Sequence, residues 1–213
     1  MLNMINAGGL VPNKVTYTTI ITRYCKEGKI NAAFQVFDRM IDMGCKPDVY
    51  TYSILISGLC DQCLLEAWNI FNMMLENGLS PNVVIYNNLI YGYCKIWKPD
   101  CASELMERMS GNGCQPNVCT CTLLIAAFCY ENKLEEANEL LIKMLESGIL
   151  PDHLTCFVQM KGHCNERHII LAFKILWAIP RYHLDSQIYM ELINGIQKKT
   201  YLEEAELLLG EIV

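Results

Sequence analysis

The cysteines are the residues of this chain with the widest chemistry, since a thiol can bind a metal ion, form a disulfide or act as a nucleophile. The sequence has 12 cysteines among 213 residues. Cys60 and Cys63 form a CxxC pair, but no second pair stands at zinc-ribbon spacing and no βαβ pattern surrounds it. Five cysteines recur at intervals of 35, 34, 35 and 35 residues: Cys25, Cys60, Cys94, Cys129 and Cys164. This regularity indicates one structural position repeated along the chain, so we expect small buried thiols in a reducing compartment.

The histidines are the other candidates for chemistry. All four lie in one irregular stretch of the sequence: His153, His163, His168 and His183. None has a spacing such as His-Glu-x-x-His that would support a metal or catalytic site. No nucleophile–base pair or acid pair recurs at a plausible spacing either. We therefore expect no enzyme activity, no catalytic residue, no metal, no cofactor and no small-molecule substrate.

The composition excludes several classes of protein. The chain is 52% hydrophobic and 19% charged, with 13 glycines and 7 prolines, so it is neither disordered nor of low complexity. Its net charge of −6 disfavours a protein that wraps duplex DNA by neutralising phosphates. No apolar run approaches the roughly 18 residues of a membrane span, and the first residues lack the features of a signal or transit peptide. We expect a soluble chain without a membrane partner, or a piece of a longer protein.

Other residue types recur at the interval of the cysteines, which is the mark of a repeat protein. The recurrent prolines are Pro12, Pro47, Pro81, Pro116 and Pro151. The recurrent alanines are Ala33, Ala67, Ala102, Ala137 and Ala172. Glycine and an aromatic or cysteine residue recur in the same register. Several independent series with one period predict a repeat of about 35 residues.

Each repeat has the pattern of two helices. In the first, residues Tyr17 to Cys25 place apolar side chains at i, i+3, i+4, i+7 and i+8, which is one face of a helix. A polar break precedes a second apolar stripe from Ile30 to Ile41. Gly44 and Pro47 then end the second helix. The unit is therefore a helix–turn–helix hairpin.

One hairpin cannot bury both of its apolar stripes, so the hairpins must stack. We predict an all-α fold, an α-solenoid in the form of a right-handed superhelix, with the recurrent alanines buried where helices approach closely and with Trp68, Trp97 and Trp177 in the packing. The predicted units are the end of a partial repeat (1–13), four full repeats (14–48, 49–82, 83–117, 118–152), a degenerate fifth (153–185) and an incomplete sixth (186–213).

These units closely resemble the pentatricopeptide repeat. The resemblance is carried by Val15-Thr-Tyr-Thr-Thr-Ile-Ile-Thr-Arg-Tyr-Cys-Lys-Glu-Gly-Lys-Ile, Gly44-Cys-Lys-Pro-Asp48, Tyr52-Ser-Ile-Leu-Ile-Ser-Gly-Leu-Cys60, Tyr86-Asn-Asn-Leu-Ile-Tyr-Gly-Tyr-Cys-Lys95 and Leu134-Glu-Glu-Ala137. The tetratricopeptide repeat has a similar length, but its Trp/Leu-Gly/Tyr signature is missing. The units look like the P-type subclass of plant organelle proteins, and particularly like fertility-restorer-like members.

The resemblance implies binding of single-stranded RNA at about one base per repeat. It implies a role in the processing, stabilisation or translation of an organelle transcript, in the mitochondrion or alternatively in the chloroplast. The helical surface could also contact protein partners.

The resemblance also implies which residues recognise RNA. The fifth and the last residue of each repeat would discriminate the bases: Thr18 with Asp48, Ser53 with Asn82, Asn87 with Asn117, and Thr122 with Asp152. The second residue of each repeat would pack against the bases: Val15, Tyr50, Val84 and Cys119. Lys26 and Lys95, at the ends of first helices, could contact phosphates. The fifth unit offers the unusual pair Phe157 and Asp185, and the sixth offers Met190 without a partner.

Hydrogen-bonding chemistry supports these assignments. An ionised aspartate only accepts hydrogen bonds, so it suits guanine or uracil, whereas the amide of asparagine can donate to adenine or cytosine. A short hydroxyl at the fifth position leaves room for a purine, and the longer amide of Asn87 suits a pyrimidine. The four full repeats should therefore prefer 5′-GACG-3′ or 5′-GAUG-3′. Each good contact contributes roughly 1–3 kcal/mol of discrimination, by analogy with DNA base edges.

Two other interpretations compete with RNA recognition. Asp or Asn before a helix is an ordinary capping residue, and a hydroxyl or amide in the first turn is unremarkable. The chain could then be a protein-interaction solenoid without RNA, which its acidic charge favours somewhat. A redox or metal enzyme that uses Cys60 and Cys63 is disfavoured by the regular cysteine spacing.

Overall fold

The computed structural model describes residues 12–60 and 62–165, and within these residues the chain forms nine α-helices and no strand. The helices are α1 (Lys14–Lys26), α2 (Ile30–Asp42), α3 (Val49–Cys60), α4 (Leu64–Glu76), α5 (Val83–Lys95), α6 (Pro99–Gly111), α7 (Val118–Tyr130), α8 (Leu134–Glu146) and α9 (His153–Asn165). The predictions for Ala172, Trp177, Asp185, Met190, His168, His183, the side chain of Cys164, the sixth unit and nearly all of residues 1–13 lie outside the described residues.

The helices alternate as the sequence pattern predicts, with short turns inside a repeat and longer ones between repeats. The turn after α2 shows why glycine recurs there: Gly44 has a φ of +73°, the left-handed region that side chains disfavour. The amide of Cys45 donates to the carbonyl of Met40 at 3.0 Å, which closes the helix end in a Schellman motif. Pro47 follows and prevents the helix from continuing. The predicted hairpin unit is confirmed.

The helices stack on their nearest neighbours. In one compact unit of the chain, α1 packs against α2 and α3, and α3 packs against α4. In another, α7 packs against α8 and α9, and α9 also contacts α8. Two first helices, α1 and α7, thus contact both their own second helix and the first helix of the next repeat. This arrangement confirms the predicted all-α solenoid.

The recurrent alanines occupy the tightest places in this packing. Ala33, Ala67, Ala102 and Ala137 have no exposed surface, as predicted. Large aromatic side chains are buried as well, among them Tyr52, whose hydroxyl accepts a hydrogen bond from the side chain of Asn77 at 3.1 Å. The core of the described residues therefore contains both small alanines and large aromatic side chains.

The cysteine series has a structural explanation. A Cβ atom added to Gly58 would lie 3.1 Å from the Cβ of Cys25, and one added to Gly162 would lie 2.8 Å from the Cβ of Cys129. Successive first helices thus come close enough that a small thiol faces a glycine. Burial raises the pKa of the Cys25 thiol to about 11 and that of Cys129 to about 12. Of the recurrent cysteines that the structure describes, Cys60 is buried as predicted, whereas Cys25, Cys94 and Cys129 are only partly buried. All the described cysteines are free thiols.

The tryptophan prediction is wrong for Trp97, which is half exposed. Trp97 occupies the turn after α5, where the corresponding residues of other repeats are Gly28 and Asn132. All three have a left-handed φ, between +58° and +70°. The turn therefore directs this side chain outward, where it stacks on Tyr130 with ring centroids 4.1 Å apart. None of the described helices is long and apolar enough to span a membrane.

Candidate nucleic-acid interface

The last residue of each full repeat lies immediately before the next first helix and caps it. The side chain of Asp48 accepts a hydrogen bond from the amide of Thr51 at 3.0 Å, and Asn82 accepts one from the amide of Ile85 at 3.0 Å. Asn117 and Asp152 accept corresponding bonds at 3.0 and 2.8 Å. The four predicted recognition residues at this position are therefore N-caps. In each of them Oδ1 is turned towards the helix.

The fifth residue of the first repeat is connected to this cap. The hydroxyl of Thr18 lies 3.1 Å from the hydroxyl of Thr51, which donates to Oδ1 of Asp48 at 3.0 Å. Thr18 also donates to the carbonyl of Lys14 at 2.9 Å. The structure therefore brings the predicted pair Thr18 and Asp48 together, joined by a third residue, Thr51, that sequence analysis did not identify.

The fourth repeat has the same arrangement. The hydroxyls of Thr122 and Thr155 are 2.6 Å apart, and Thr155 donates to Oδ1 of Asp152 at 2.7 Å. Thr155 has no exposed surface and Thr122 is 7% exposed. The predicted pair Thr122 and Asp152 is thus also brought together. Because the same hydrogen bonds form in two separate repeats, they belong to the repeat and not to one local accident of packing.

The second repeat differs from this scheme, and the third repeat shares its cap. Beside the second-repeat pair, Ser53 and Asn82, the bridging position holds Ile85, which has no hydroxyl. In the third repeat, Asn117 forms a capping box with Thr120, whose amide and hydroxyl both lie 3.0 Å from Oδ1 of Asn117. Asn87 lies on α5 in one compact unit and Asn117 begins α7 in the other, so the pairing of these two stays a prediction.

The predicted base-packing residues are exposed. Val15 is 67%, Tyr50 64% and Val84 55% exposed, and Cys119 is exposed as well. Single exposed apolar side chains are normal on protein surfaces, whereas a group of neighbouring ones marks a surface that binds a ligand or partner. These side chains recur at the second position of four consecutive repeats, and two of them, Val15 and Tyr50, line one groove with the cap Asp48.

A groove of about 450 Å³ lies at the first repeat. Its lining includes five predicted residues: Val15, Thr18, Lys26, Asp48 and Tyr50. It also includes Lys14, Thr19, Thr22 and Arg23, which were not predicted. Helical periodicity could have predicted part of this lining, since residues 15, 18, 19, 22 and 26 share one face of α1. Lys26 is exposed at this groove, as a phosphate contact would require, and Lys95 is exposed at the end of α5.

The carboxylates at the caps are ionised at neutral pH. Burial would raise the pKa of Asp48, but hydrogen bonds from Lys14 and from the backbone and side chain of Thr51 outweigh it and hold the pKa below its usual value. The Nζ of Lys14 lies 2.7 Å from Oδ2 of Asp48. The pKa of Asp152 is also lowered, because bonds from Thr155 outweigh the effect of burial. Both caps therefore offer only acceptors.

The described histidines do not form a metal site. His163 is buried, and its Nε2 lies 2.9 Å from the side-chain oxygen of Asn138. His153 is exposed at the start of α9. In residues 12–60 and 62–165, no group of three or more potential ligands could hold a metal ion. His163 therefore serves the packing of α8 on α9.

Solved structures resemble this chain closely. The pentatricopeptide repeat protein PPR10 from maize superposes with a TM-score of 0.77 at 19% identity, covering 99% of this chain and 35% of PPR10. PPR10 in complex with an 18-nt psaJ RNA element superposes with a TM-score of 0.71 at 28% identity, and the match covers 87% of this chain and 28% of PPR10. The pentatricopeptide repeat domain of Arabidopsis thaliana protein-only RNase P 1, in complex with tRNA, superposes with a TM-score of 0.72 at 19% identity. This match covers 87% of this chain and 99% of that domain.

Sequence relatives are similar over shorter stretches. One chloroplastic pentatricopeptide repeat-containing protein of Arabidopsis thaliana is 46% identical over 54 residues, which is 25% of this chain and 10% of the relative. Another chloroplastic pentatricopeptide repeat-containing protein of Arabidopsis thaliana is 48% identical over 44 residues, which is 21% of this chain and 8% of the relative. The chain thus matches only about a tenth of the length of these relatives.

Models of the repeat itself cover most of the described residues. The PPR repeat family model matches residues 12–61, 81–129 and 116–165, the pentatricopeptide repeat domain model matches 65–96, and the PPR repeat model matches 50–79. These matches follow the hairpins seen in the structure and confirm the resemblance found in the sequence. With this coverage and the stacking of its hairpins, the chain belongs to the pentatricopeptide repeat family.

Proposed function

We propose that this chain binds single-stranded RNA sequence-specifically, with about one base per repeat. The observation that carries the proposal is the groove of the first repeat, which gathers the pair Thr18 and Asp48 beside the exposed side chains Val15 and Tyr50. A base inserted there would meet hydrogen-bonding atoms at its edge and apolar side chains at its faces. The complex of PPR10 with an RNA element supports the same class of ligand.

The repeats would select bases by the atom that each cap leaves exposed. Asp48 and Asp152 offer carboxylate acceptors, which suit guanine in the first and fourth repeats. Asn82 offers an amide donor for adenine, and Asn117 with the longer Asn87 suits cytosine or uracil. The preferred sequence is then 5′-GACG-3′ or 5′-GAUG-3′, bound by repeats 14–48, 49–82, 83–117 and 118–152.

Binding of this kind would act by occupancy. A bound strand is protected from nucleases, and a structure near the site can be opened, which affects the processing, stability or translation of a transcript. We propose an organelle transcript as the target, because curated relatives of this chain are chloroplastic. The mitochondrion is the other candidate compartment.

A protein-binding solenoid is the second candidate function. Two observations favour it: the net charge of −6 and exposed apolar side chains on second helices, such as Leu65 at 73% and Ile142 at 54% exposure. An acidic surface repels the RNA backbone, so base contacts must supply most of the RNA affinity.

Equilibrium binding at low ionic strength separates the two functions. The full chain should bind an RNA that contains GACG more tightly than a scrambled RNA of the same composition. The double variant Asp48→Asn and Asp152→Asn is the matched control, because asparagine keeps both caps while it exchanges an acceptor for a donor. Its preference at the first and fourth bases should move from guanine to adenine. Equal binding of all these RNAs by the intact chain would contradict sequence-specific recognition.

A further inference from the structure

We propose that Thr51 and Thr155 are positioning residues that make the first and fourth repeats specific for guanine. Each is the third residue of the helix that follows the repeat, and neither belongs to the fifth or last position of a repeat. The proposal rests on the RNA binding proposed above and explains how a threonine and an aspartate act there as one recognition unit.

The bridging hydroxyl has a fixed proton. Asp48 is ionised and has no proton to donate, so the hydroxyl of Thr51 must donate to Oδ1 of Asp48, 3.0 Å away. Having used its one proton, Thr51 can only accept from Thr18, whose hydroxyl lies 3.1 Å from it. The other partner of Thr18, the carbonyl of Lys14 at 2.9 Å, is also only an acceptor. The single proton of Thr18 therefore points into the protein whichever of the two it reaches.

This proton arrangement determines what a base meets. Oδ1 of Asp48 already accepts two bonds from Thr51, through its amide and its hydroxyl, so a ligand would have to meet Oδ2, which it would share with the Nζ of Lys14, 2.7 Å away. Thr18 offers a lone pair and no proton. The pair thus presents two acceptors and no donor. On its Watson–Crick edge guanine has two adjacent donors, N1–H and the N2 amino group, whereas adenine has the acceptor N1, which would be left facing a carboxylate.

The fourth repeat shows the same logic with shorter distances. Thr155 donates to Oδ1 of Asp152 at 2.7 Å, and its oxygen lies 2.6 Å from that of Thr122. Thr51 and Thr155 have no exposed surface, so they act through these partners and do not touch RNA themselves. In the second repeat, where Ile85 replaces the bridging hydroxyl, the proposed base is adenine and not guanine.

The test removes the hydroxyl and keeps the shape. In the full chain, Thr51→Val retains the backbone amide that donates to Oδ1 of Asp48 but removes the hydroxyl bond that helps to hold this oxygen. It also removes the link between Asp48 and Thr18, which keeps only the carbonyl of Lys14 as its acceptor. The measurement is the affinity for short RNAs that differ only in the first or the fourth base. We expect the preference for guanine over adenine at the first base to fall by roughly five- to tenfold, with the fourth base unaffected. Thr155→Val should do the converse.

Two further variants separate this role from a general structural one. Thr16→Val is the matched control, because the amide and hydroxyl of Thr16 donate the same two bonds to Oδ1 of Asn13, at 3.0 and 3.1 Å, without bridging the first-repeat pair. It should leave the first-base preference unchanged. Thr51→Ser keeps the hydroxyl and should retain the preference for guanine.

The outcomes distinguish the inference from the function on which it rests. A folded Thr51→Val or Thr155→Val chain with the guanine preference of the unmodified chain would overturn the inference and leave RNA recognition intact. An unmodified chain without guanine preference at these bases would overturn the proposed function itself. If one valine variant does not fold, the other repeat decides the matter, because each repeat is scored on its own base. Loss of the preference in Thr51→Ser would also contradict the role of the hydroxyl.

Discussion

Replacing Asn117 by aspartate should change the third base that the chain prefers without lowering its stability. In the structure, Oδ1 of Asn117 accepts bonds from the amide and the hydroxyl of Thr120, both at 3.0 Å. Aspartate keeps this oxygen and both bonds, and it exchanges only the amide nitrogen for a second oxygen. Asparagine and aspartate are about equally good N-caps, and a negative charge at a helix start adds roughly 0.3–1 kcal/mol of stabilisation. The melting temperature should therefore be unchanged or slightly higher.

The expected change in specificity follows from one hydrogen-bonding atom. Cytosine presents an acceptor at N3 and uracil presents N3–H, so the exchange of a donor for an acceptor should move the preference from cytosine towards uracil. The expected size is about 1 kcal/mol, or roughly fivefold in relative affinity, the lower end for one base contact. The measurement is competition binding with RNAs that vary only at the third base. The RNA affinity of four repeats can be too low to measure, because their base contacts must offset the entropy lost when the strand becomes ordered. The four repeats can then be placed within a longer consensus array, whose additional repeats raise the affinity.

A matched control uses the preceding cap. Asn13 is held by Thr16 as Asn117 is held by Thr120, so Asn13→Asp makes the same chemical change outside the third repeat. It should leave the third-base preference as it is. A folded Asn117→Asp chain that still prefers cytosine to the same degree would refute the assignment of Asn87 and Asn117 as the recognition pair of the third repeat.

Three other changes test the packing and the charges. Gly162→Ala should lower the free energy of unfolding in urea by about 1–3 kcal/mol, since the new Cβ would lie 2.8 Å from the Cβ of Cys129. Gly111→Ala, where an added Cβ meets open space, should not, and equal effects of the two substitutions would contradict the close approach. Burial, which raises the pKa of Cys129 to about 12, should make its alkylation at pH 8 much slower than that of the exposed Cys119, as mass spectrometry of the native chain can measure. Lys26→Val should weaken binding of all RNAs alike and reduce the slope of log affinity against log salt by about 0.7, while the preference for guanine at the first base persists. An unchanged slope would exclude a phosphate contact of Lys26, which lies exposed at the groove of the first repeat.

The fold could be predicted from the sequence because its determinants are local and periodic. The left-handed turn at Gly44 requires glycine, and the close approach of two helices at Ala33 requires a small side chain. Each requirement therefore appears in the sequence as one residue type that recurs once per repeat. A 35-residue period repeats these local requirements several times, and the hairpins have no other apolar surface on which to pack. Trp97 shows the limit of this approach. Its residue type indicated packing, but its position in a left-handed turn placed it outside.

The candidate site was predictable in its residues and not in its connections. Thr18 and Asp48 were identified from their positions in the repeat, whereas Thr51 was not, although it touches both. The link between Thr18 and Thr51 spans 33 residues and depends on how closely α1 lies against α3, which no local pattern encodes. The ion pair between Lys14 and Asp48 has the same origin, since it joins the two ends of one repeat.

Capping and base recognition are not competing roles for the last residue of a repeat. An N-cap needs one side-chain oxygen to accept from the helix, and Asp and Asn both supply it, so the helix start tolerates either residue. The same bond turns the side chain so that its second atom, an oxygen or an amino group, faces away from the helix. The cap thus fixes the orientation of the side chain, and the ligand meets its second atom, which is an acceptor in aspartate and a donor in asparagine. In Asp152 both roles are visible at once: Oδ1 is held by Thr155, and the carboxylate remains a negative acceptor beside Thr122. A helix-capping position can therefore vary between two residues without loss of stability, and that freedom is what a base-recognition position requires.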